Sequence, residues 1–135
     1  MKTISVVGAA IIDPPYVLAF RRGPAIAMAG KWEFPGGKLE RGESPRDALA
    51  RELEEELQLS LPIGERIGIG TAQLNPETRV ELEVFEAPGT YQGLNFVLSD
   101  HDQALWLHVD DLHSCLLYTS PSPRDSFRSR MPSSA

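Results

Sequence analysis

Residues 37–59 read GKLERGESPRDALARELEEELQL, and this stretch decides the fold because it predicts a capped helix that is rich in glutamate. Ser44 is a preferred N-cap residue. Pro45 suits the first helical position, where its fixed φ fits and its missing N–H is not needed. The spacing of apolar residues predicts a helix over 45–58. Its apolar stripe is expected to consist of Leu49, Ala50, Leu53 and Leu57.

Three glutamates of this helix, Glu52, Glu55 and Glu56, follow the i, i+3, i+4 spacing of one helical face. Side chains at these spacings lie ~5–6 Å apart at Cβ, so three like charges repel one another. A divalent cation that prefers oxygen ligands, such as Mg²⁺, would reverse this repulsion. The alternative is a solvated acidic face, which is the usual role of glutamate-rich runs. The cluster alone leaves both interpretations open.

The stretch as a whole resembles the Nudix box, a motif of glycine, glutamate and an Arg-Glu-x-x-Glu-Glu core at fixed spacings. The matching residues are Gly37, Glu43, Arg51, Glu52, Leu53, Glu55, Glu56 and Leu59. Gln58 departs from the motif, in which a glycine closes the helix in a left-handed conformation. We expect this departure to cost ~1 kcal/mol at the helix end and to leave the chemistry intact.

The Nudix resemblance implies a role for each matching residue. The implied ligands of Mg²⁺, which Mn²⁺ can replace, are the Gly36 carbonyl and the side chains of Glu52, Glu55 and Glu56. Glu43 and Arg51 would orient the loop and the helix. The metal would neutralise phosphate charge and lower the pKa of a bound water, which then attacks phosphorus in line.

The phrase KWEFPGGK at residues 31–38 resembles a narrower group, the MutT-like nucleoside triphosphate pyrophosphohydrolases. This likeness implies four substrate-binding residues, Arg22, Phe34, Gly37 and Lys38. In the group, the residues that match Arg22 and Phe34 line the base pocket. The alternatives are a core aromatic for Phe34 and an exposed strand-end charge for Arg22.

One acidic residue outside the helix also matches the MutT-like group. Asp100 stands six residues before Trp106, where the group often has a glutamate that binds metal or takes a proton. The three histidines, His101, His108 and His113, are expected at the surface, because magnesium does not select imidazole.

Strand-like runs surround the helix, at residues 3–12, 16–21, 63–74, 79–86 and 104–109. Turn signals separate them at 13–15 and 75–77. A second helix is expected to begin at 110–112. This order predicts an α/β fold, the Nudix α/β/α sandwich with a mixed β-sheet.

Residues 115–135 differ in character from the rest, being rich in Ser, Pro and Arg without periodicity. The segments CLLYTSPSPRD at 115–125 and SRMPSSA at 129–135 resemble two translated parts of a transposase-type sequencing adapter, in the correct order. We therefore expect 1–114 to form the Nudix domain with its closing C-terminal helix truncated. Residues 115–135 are expected to be a non-native, disordered segment. The base-reading residues would lie beyond this boundary, so the base remains open.

Length and charge narrow the class of protein. A chain of 135 residues suits one domain, and a net charge of −6 argues against a nucleic-acid polymer as partner. A nucleotide held by a metal ion and one or two arginines remains compatible with that charge. No run approaches transmembrane length, and the apolar run at 6–12 fits a strand better than a secretion signal. We expect a cytoplasmic protein, monomeric or homodimeric, with no membrane partner.

The expected reaction is Mg²⁺-dependent hydrolysis of a nucleoside triphosphate to the monophosphate and pyrophosphate. The substrate could be oxidised dGTP or another non-standard nucleotide. Two alternatives stay open. One is a Nudix hydrolase for another nucleoside-diphosphate-linked substrate, such as a dinucleoside polyphosphate or a nucleotide sugar. The other is a non-catalytic Nudix-fold binding module, which the intact set of Glu52, Glu55 and Glu56 disfavours.

Overall fold

A computed structural model describes residues 2–26, 28–89 and 94–114. The elements are β1 (Lys2–Asp13), β2 (Tyr16–Arg22), β3 (Trp32–Glu33), β4 (Gly36–Lys38), α1 (Pro45–Leu57), β5 (Arg66–Asn75), β6 (Thr78–Pro88), β7 (His101–His108) and a 3₁₀ helix (Val109–Ser114). The expected disordered segment at 115–135 lies outside the described residues.

The strands form one mixed sheet, as the sequence predicts. Its order is β3-β2-β1-β6-β5, with β4 beside β1 and β7 beside β2. β1 and β6 pair in parallel from Lys2↔Thr78 to Ile12↔Pro88, while the other pairings of the described strands are antiparallel. The predicted turns at 13–15 and 75–77 connect β1 to β2 and β5 to β6.

β1 and β2 fork apart soon after their hairpin. They pair only from Ile11↔Leu18 to Asp13↔Tyr16. Farther along, β4 occupies the side of β1 at 6–8, and β3 occupies the side of β2 at 20–21. The chain between β3 and β4 therefore crosses the fork, where the Ala9 amide donates to the Pro35 carbonyl at 2.8 Å. β3 and β4 were not predicted, because strands this short carry no readable alternation.

Helix α1 packs its leucines on one face of the sheet. Leu49, Leu53 and Leu57 are fully buried, as predicted, among residues of β1, β2 and β6. The prediction for Ala50 was wrong, since Ala50 is exposed and Ala48 is buried instead. The two alanines lie about 100° to either side of Leu49. The buried arc extends toward Ala48 because the sheet also covers the flank that carries Glu52 and Glu56.

Both ends of α1 are capped. The Ser44 side chain accepts a hydrogen bond from the Asp47 amide at 3.1 Å, which confirms the predicted N-cap. At the other end Gln58 adopts the left-handed conformation, with φ 54° and ψ 38°. The amides of Gln58 and Leu59 then reach the last carbonyls of the helix, each at 3.1 Å. Gln58 thus takes the conformation usually left to glycine.

A second apolar cluster lies on the opposite face of the sheet. Its buried members are Ala10, Val17, Phe34, Ile67, Leu82, Val84 and Val109. Val109 begins the 3₁₀ helix, so the helix expected near 110–112 is present as a 3₁₀ turn that starts slightly earlier. None of the helices in the described ranges is both long and apolar enough to cross a membrane.

Candidate active site

A cavity of about 240 Å³ opens at the fork between β1 and β2. Much of its apolar wall comes from the sheet, with Ile4, Val6, Ala72, Leu74, Val80 and Leu82. Its polar residues form two groups. The first group, which we call the glutamate end, consists of Glu56 and of Glu52, which lies against the cavity-lining Gly37. The second group, which we call the arginine end, consists of Arg22 and Glu33.

The loop before α1 lies against backbone and carboxylate groups that leave no room for side chains. Gly36 has φ +156°, and a Cβ there would overlap the Val7 carbonyl oxygen. A Cβ on Gly37 would stand only 2.5 Å from the Glu52 carboxyl carbon. The backbone approach requires glycine at position 36, whereas a side chain at position 37 would displace the Glu52 carboxylate. The two glycines bring the loop backbone directly against the Glu52 carboxylate.

Arg51 fastens this loop to the helix. Its Nε donates to Glu43 Oε2 at 2.6 Å and its Nη2 to Glu43 Oε1 at 3.0 Å, a two-point ion pair. Nη2 also donates to the Lys38 carbonyl at 3.2 Å. The hydrogen bond from Arg51, aided by the Glu40 amide, lowers the pKa of Glu43 to about 2. The structure thus brings Glu43 and Arg51 together in a way that suits their expected orienting role.

Arg51 also contacts two of the three predicted metal ligands. Its Nη1 donates to Glu52 Oε1 at 2.9 Å and to Glu55 Oε2 at 3.1 Å. The Glu55 side chain is 60% exposed, whereas the Glu52 side chain is only 15% exposed. Glu55 therefore lies on the outer flank of the helix, and Glu52 lies against Gly37, which lines the cavity. Arg51 is a cationic partner for both.

Glu56 has a different environment. Its side chain is 17% exposed, and burial is the largest cause that raises its pKa to about 9. A hydrogen bond with Glu52 and the negative charges of Glu52, Asp100 and Glu33 raise it further. Three other carboxyl groups thus act on that of Glu56.

The donor chemistry at the glutamate end fits a hard divalent cation. Carboxylate and carbonyl oxygens are what Mg²⁺ prefers, and a positive ion would offset the like charges around Glu56. Within residues 2–26, 28–89 and 94–114, no three His, Cys, Asp or Glu side chains stand in a ready-made metal-holding group. Glu52 and Glu55 are instead turned toward Arg51. Metal binding would therefore require these two side chains to reorient.

The arginine end is a buried ion pair that the sequence did not reveal. Arg22 Nη1 donates to both carboxylate oxygens of Glu33, at 2.8 and 2.9 Å. Glu33 is 7% exposed, and its Oε2 also lies 2.8 Å from His101 Nε2. The surface prediction for His101 was wrong, since His101 is 5% exposed. It is buried because its ring packs on Phe20 and its Nε2 meets the Glu33 carboxylate.

The other expected site residues also line the cavity. Phe34 is buried, and it is a core aromatic and a cavity wall at once. Lys38 is exposed where β4 meets the cavity. Asp100 is exposed too, and its carbonyl accepts from the Gly23 amide at 2.9 Å, which fixes it next to the end of β2. Arg22 is not an exposed strand-end charge, because its side chain is 19% exposed and paired with Glu33.

Comparison with known proteins identifies the family. The NUDIX domain model matches residues 2–129. The chain belongs to the Nudix family. It is a Nudix hydrolase with MutT-like relatives, and the mixed sheet with one α-helix in the described part of the chain is the Nudix fold.

Two relatives and one structure illustrate the likeness. The putative 8-oxo-dGTP diphosphatase 2 of Mycobacterium tuberculosis is 37% identical over 111 residues, which cover 80% of this chain and 75% of the relative. The CTP pyrophosphohydrolase of Escherichia coli is 35% identical over 114 residues, covering 82% and 80%. The crystal structure of the MutT protein from Methanosarcina mazei superposes with a TM-score of 0.74 at 29% identity, covering 95% and 92%.

The Nudix box led directly to the glutamate end, but Glu33 and His101 were missed. Glu33 was hidden because a charged residue in a two-residue strand gives no burial signal. His101 was hidden by a register shift, in which Arg21 pairs with Gln103 but Arg22 pairs with His101. Asp102 has no pairing partner on β2 and forms a β-bulge. The bulge interrupts the alternation of buried and exposed residues along β7, from which the burial of His101 would otherwise be predicted.

Proposed function

We propose that this Nudix hydrolase cleaves a nucleoside triphosphate to the monophosphate and pyrophosphate, with Mg²⁺ or Mn²⁺ as cofactor. The observation that carries the proposal is that the glutamate end and the arginine end border the same cavity. The first is expected to hold the phosphates, and the second is expected to lie near the base. Glu56 and Asp100 line the cavity beside Arg22, Phe34 and Lys38. The relatives named as an 8-oxo-dGTP diphosphatase and a CTP pyrophosphohydrolase support a nucleoside triphosphate over a nucleotide sugar.

The glutamate end suits the triphosphate. The proposed metal-holding groups are the side chains of Glu52, Glu55 and Glu56 with the Gly36 carbonyl. When bound, the ion would offset phosphate charge and lower the pKa of a coordinated water. In the proposed reaction the anhydride bond between the α- and β-phosphates would break, and the oxygen and proton of the attacking water would be shared between the monophosphate and pyrophosphate products. Asp100 lines the same cavity and is the proposed acceptor of a proton from the water.

The remaining residues bind and orient. The Lys38 ammonium is a cation beside the loop and suits a phosphate oxygen. The Phe34 ring and the apolar wall of β1, β5 and β6 suit the flat face of a base. The arginine end offers a buried carboxylate and guanidinium near that wall. Arg51 and Glu43 hold the loop, so the Gly36 carbonyl keeps its place next to the helix.

A substrate panel tests the proposal. Common and oxidised nucleoside triphosphates, a dinucleoside polyphosphate and a nucleotide sugar are each incubated with the full chain and MgCl₂. Pyrophosphate and orthophosphate are measured separately, with an EDTA sample as control. We expect pyrophosphate from at least one triphosphate and none in EDTA.

Three outcomes would replace the proposal. Faster cleavage of the polyphosphate or the sugar would assign the site to another diphosphate-linked substrate. Orthophosphate release would place the cleavage at the anhydride bond between the β- and γ-phosphates. Tight nucleotide binding without turnover would make the chain a binding module.

A further inference from the structure

His101 links the two ends of the cavity. Its Nε2 lies 2.8 Å from Glu33 Oε2 at the arginine end, and its Nδ1 lies 3.9 Å from Glu56 Oε2 at the glutamate end. The imidazole side chain is 2% exposed, so water has little access to it. One ring therefore stands between two carboxyl groups that belong to different parts of the site.

The two ring nitrogens have unequal partners. The Glu33 carboxylate also accepts a hydrogen bond from Arg22, which fixes it as an acceptor. His101 therefore donates to Glu33 from a protonated Nε2. His101 Nδ1, in contrast, is a buried polar atom without a hydrogen-bond partner within the part of the chain that the structure describes. Leaving such an atom unsatisfied costs stability, so a fold tends to retain one only where it gains a partner.

Glu56 is the group that Nδ1 faces. The two atoms are 3.9 Å apart, which is longer than the hydrogen-bond distance of about 2.7–3.2 Å for nitrogen donors. Rotation of the Glu56 carboxylate would be enough to close this gap. Contacts of this kind in active sites are often long before substrate binds and shorten in the reacting complex. One proton between Nδ1 and Oε2, on either atom, would complete the hydrogen bond.

We propose that His101 is a positioning residue that holds the Glu56 carboxyl through Nδ1 and the Glu33 carboxyl through Nε2, and so joins the glutamate end to the arginine end. A substrate that contacts Arg22 and Glu33 would then bias the orientation of Glu56 through this ring. This inference rests on the proposed function, because it assigns separate tasks to the two ends of one substrate site.

Two substitutions of His101 test the roles of its two ring nitrogens separately. In His101→Asn the amide ends near the position of Nδ1, and in His101→Gln it reaches toward that of Nε2. We expect His101→Gln to keep KM within about threefold and to lower kcat at least about tenfold, since Glu56 loses its guide. We expect His101→Asn to keep more of kcat and to raise KM, since Glu33 and Arg22 are loosened.

His108 provides the matched control. It lies on the same strand, its side chain is 37% exposed, and it faces Asp110 instead of the cavity. His108→Asn and His108→Gln should leave both constants unchanged. A merely structural role for His101 would lower activity in step with melting temperature in both variants. That parallel loss, or equal kcat and KM in the two variants, would overturn the proposal.

A measurement without turnover keeps the inference separable from the proposed function. In metal-free, ¹⁵N-labelled full chain, long-range NMR of the histidine rings gives the Nδ1 and Nε2 signals of His101. We expect Glu56→Gln to move the Nδ1 signal of His101 and to leave His108 unchanged. An unmoved Nδ1 signal would refute the contact. If the wild type hydrolyses no triphosphate, the proposed function fails, while this measurement still decides whether His101 contacts Glu56.

Discussion

Glu43 and Glu56 are the same residue type on the two sides of the Nudix box, yet their surroundings act on them in opposite directions. Glu43 is paired with Arg51 and accepts the Glu40 amide, so its pKa falls to about 2. Glu56 is largely buried among Glu52, Asp100 and Glu33, so its pKa rises to about 9. The fold stabilises the charge on the first carboxyl and opposes it on the second.

This difference in pKa indicates that Glu43 has a structural role and that Glu56 belongs to the functional site. The Glu43–Arg51 pair is complete in itself and fastens the loop to the helix. The Glu56 carboxyl lies among other carboxyl groups, so a bound cation would stabilise its charged form, and strongly perturbed groups in a cleft are typical of functional sites. The predictions below test this contrast, from the largest expected effect to the smallest.

The largest effect is expected for Glu56→Gln. The amide keeps the size of the side chain and removes a charged oxygen, so kcat should fall at least about 100-fold. Glu54→Gln is the matched control, because Glu54 is exposed on the same helix. Turnover by Glu56→Gln close to that of the control would remove Glu56 from the mechanism.

The same substitution should stabilise the metal-free protein, and only above acidic pH. A carboxyl whose folded pKa is raised from 4.5 to about 9 destabilises the fold progressively as pH rises through that window. At pH 8 the Gln variant should therefore melt at least ~4 °C above the wild type, or ~1 kcal/mol. At pH 4 the two should melt together. Added MgCl₂ should raise the melting temperature of the wild type more than that of the variant.

Glu43→Gln should show the opposite pH dependence. The folded pKa of Glu43 is lowered, so its stabilisation is present above pH 4.5 and is lost as pH falls through about 2. The variant should melt below the wild type at pH 7, and the gap should narrow toward pH 2. Its kcat should fall about tenfold, as for residues that orient metal ligands. Glu40→Gln, exposed and 3.6 Å from Arg51, is the control.

A gap that does not depend on pH would show that Glu43 acts through its shape and not through its charge. In that case the comparison with Glu56 would lose its electrostatic basis, although the loop would still be held by Arg51 and the Lys38 carbonyl.

The sequence predicted the helix, the long strands and the glutamates, because these depend on local periodicity and on a motif with fixed spacings. It did not predict the fork that places β3 and β4, which depends on pairing between distant segments. Ala50 was misplaced because two alanines flank Leu49 and only the sheet decides between them. Glu33 and His101 were missed because their burial results from pairing with each other and with Arg22.

A smaller effect separates Asp100 from Asp102. Asp100 lines the cavity and its charge contributes to the raised pKa of Glu56, whereas Asp102 pairs with Arg21 on the surface at 2.7 Å. At saturating substrate, Asp100→Asn should lower kcat about tenfold or more, and Asp102→Asn should change it less than about twofold. Equal, small effects would return Asp100 to the status of a loop residue.

The smallest effect concerns the end of α1, where this chain departs from the Nudix box. Gln58 adopts φ 54°, a conformation that costs a residue with Cβ ~1 kcal/mol relative to glycine. Gln58→Gly should therefore raise the free energy of unfolding by about 0.5–1 kcal/mol and leave kcat unchanged, because Gln58 is exposed and lies outside the cavity. Gln58→Ala keeps the Cβ and should bring no gain. Urea unfolding of the three proteins measures the difference. If glycine and alanine shift the midpoint equally, the Gln58 side chain and not its backbone conformation sets the stability of the helix end. The left-handed conformation would then carry no measurable cost for a residue with a Cβ.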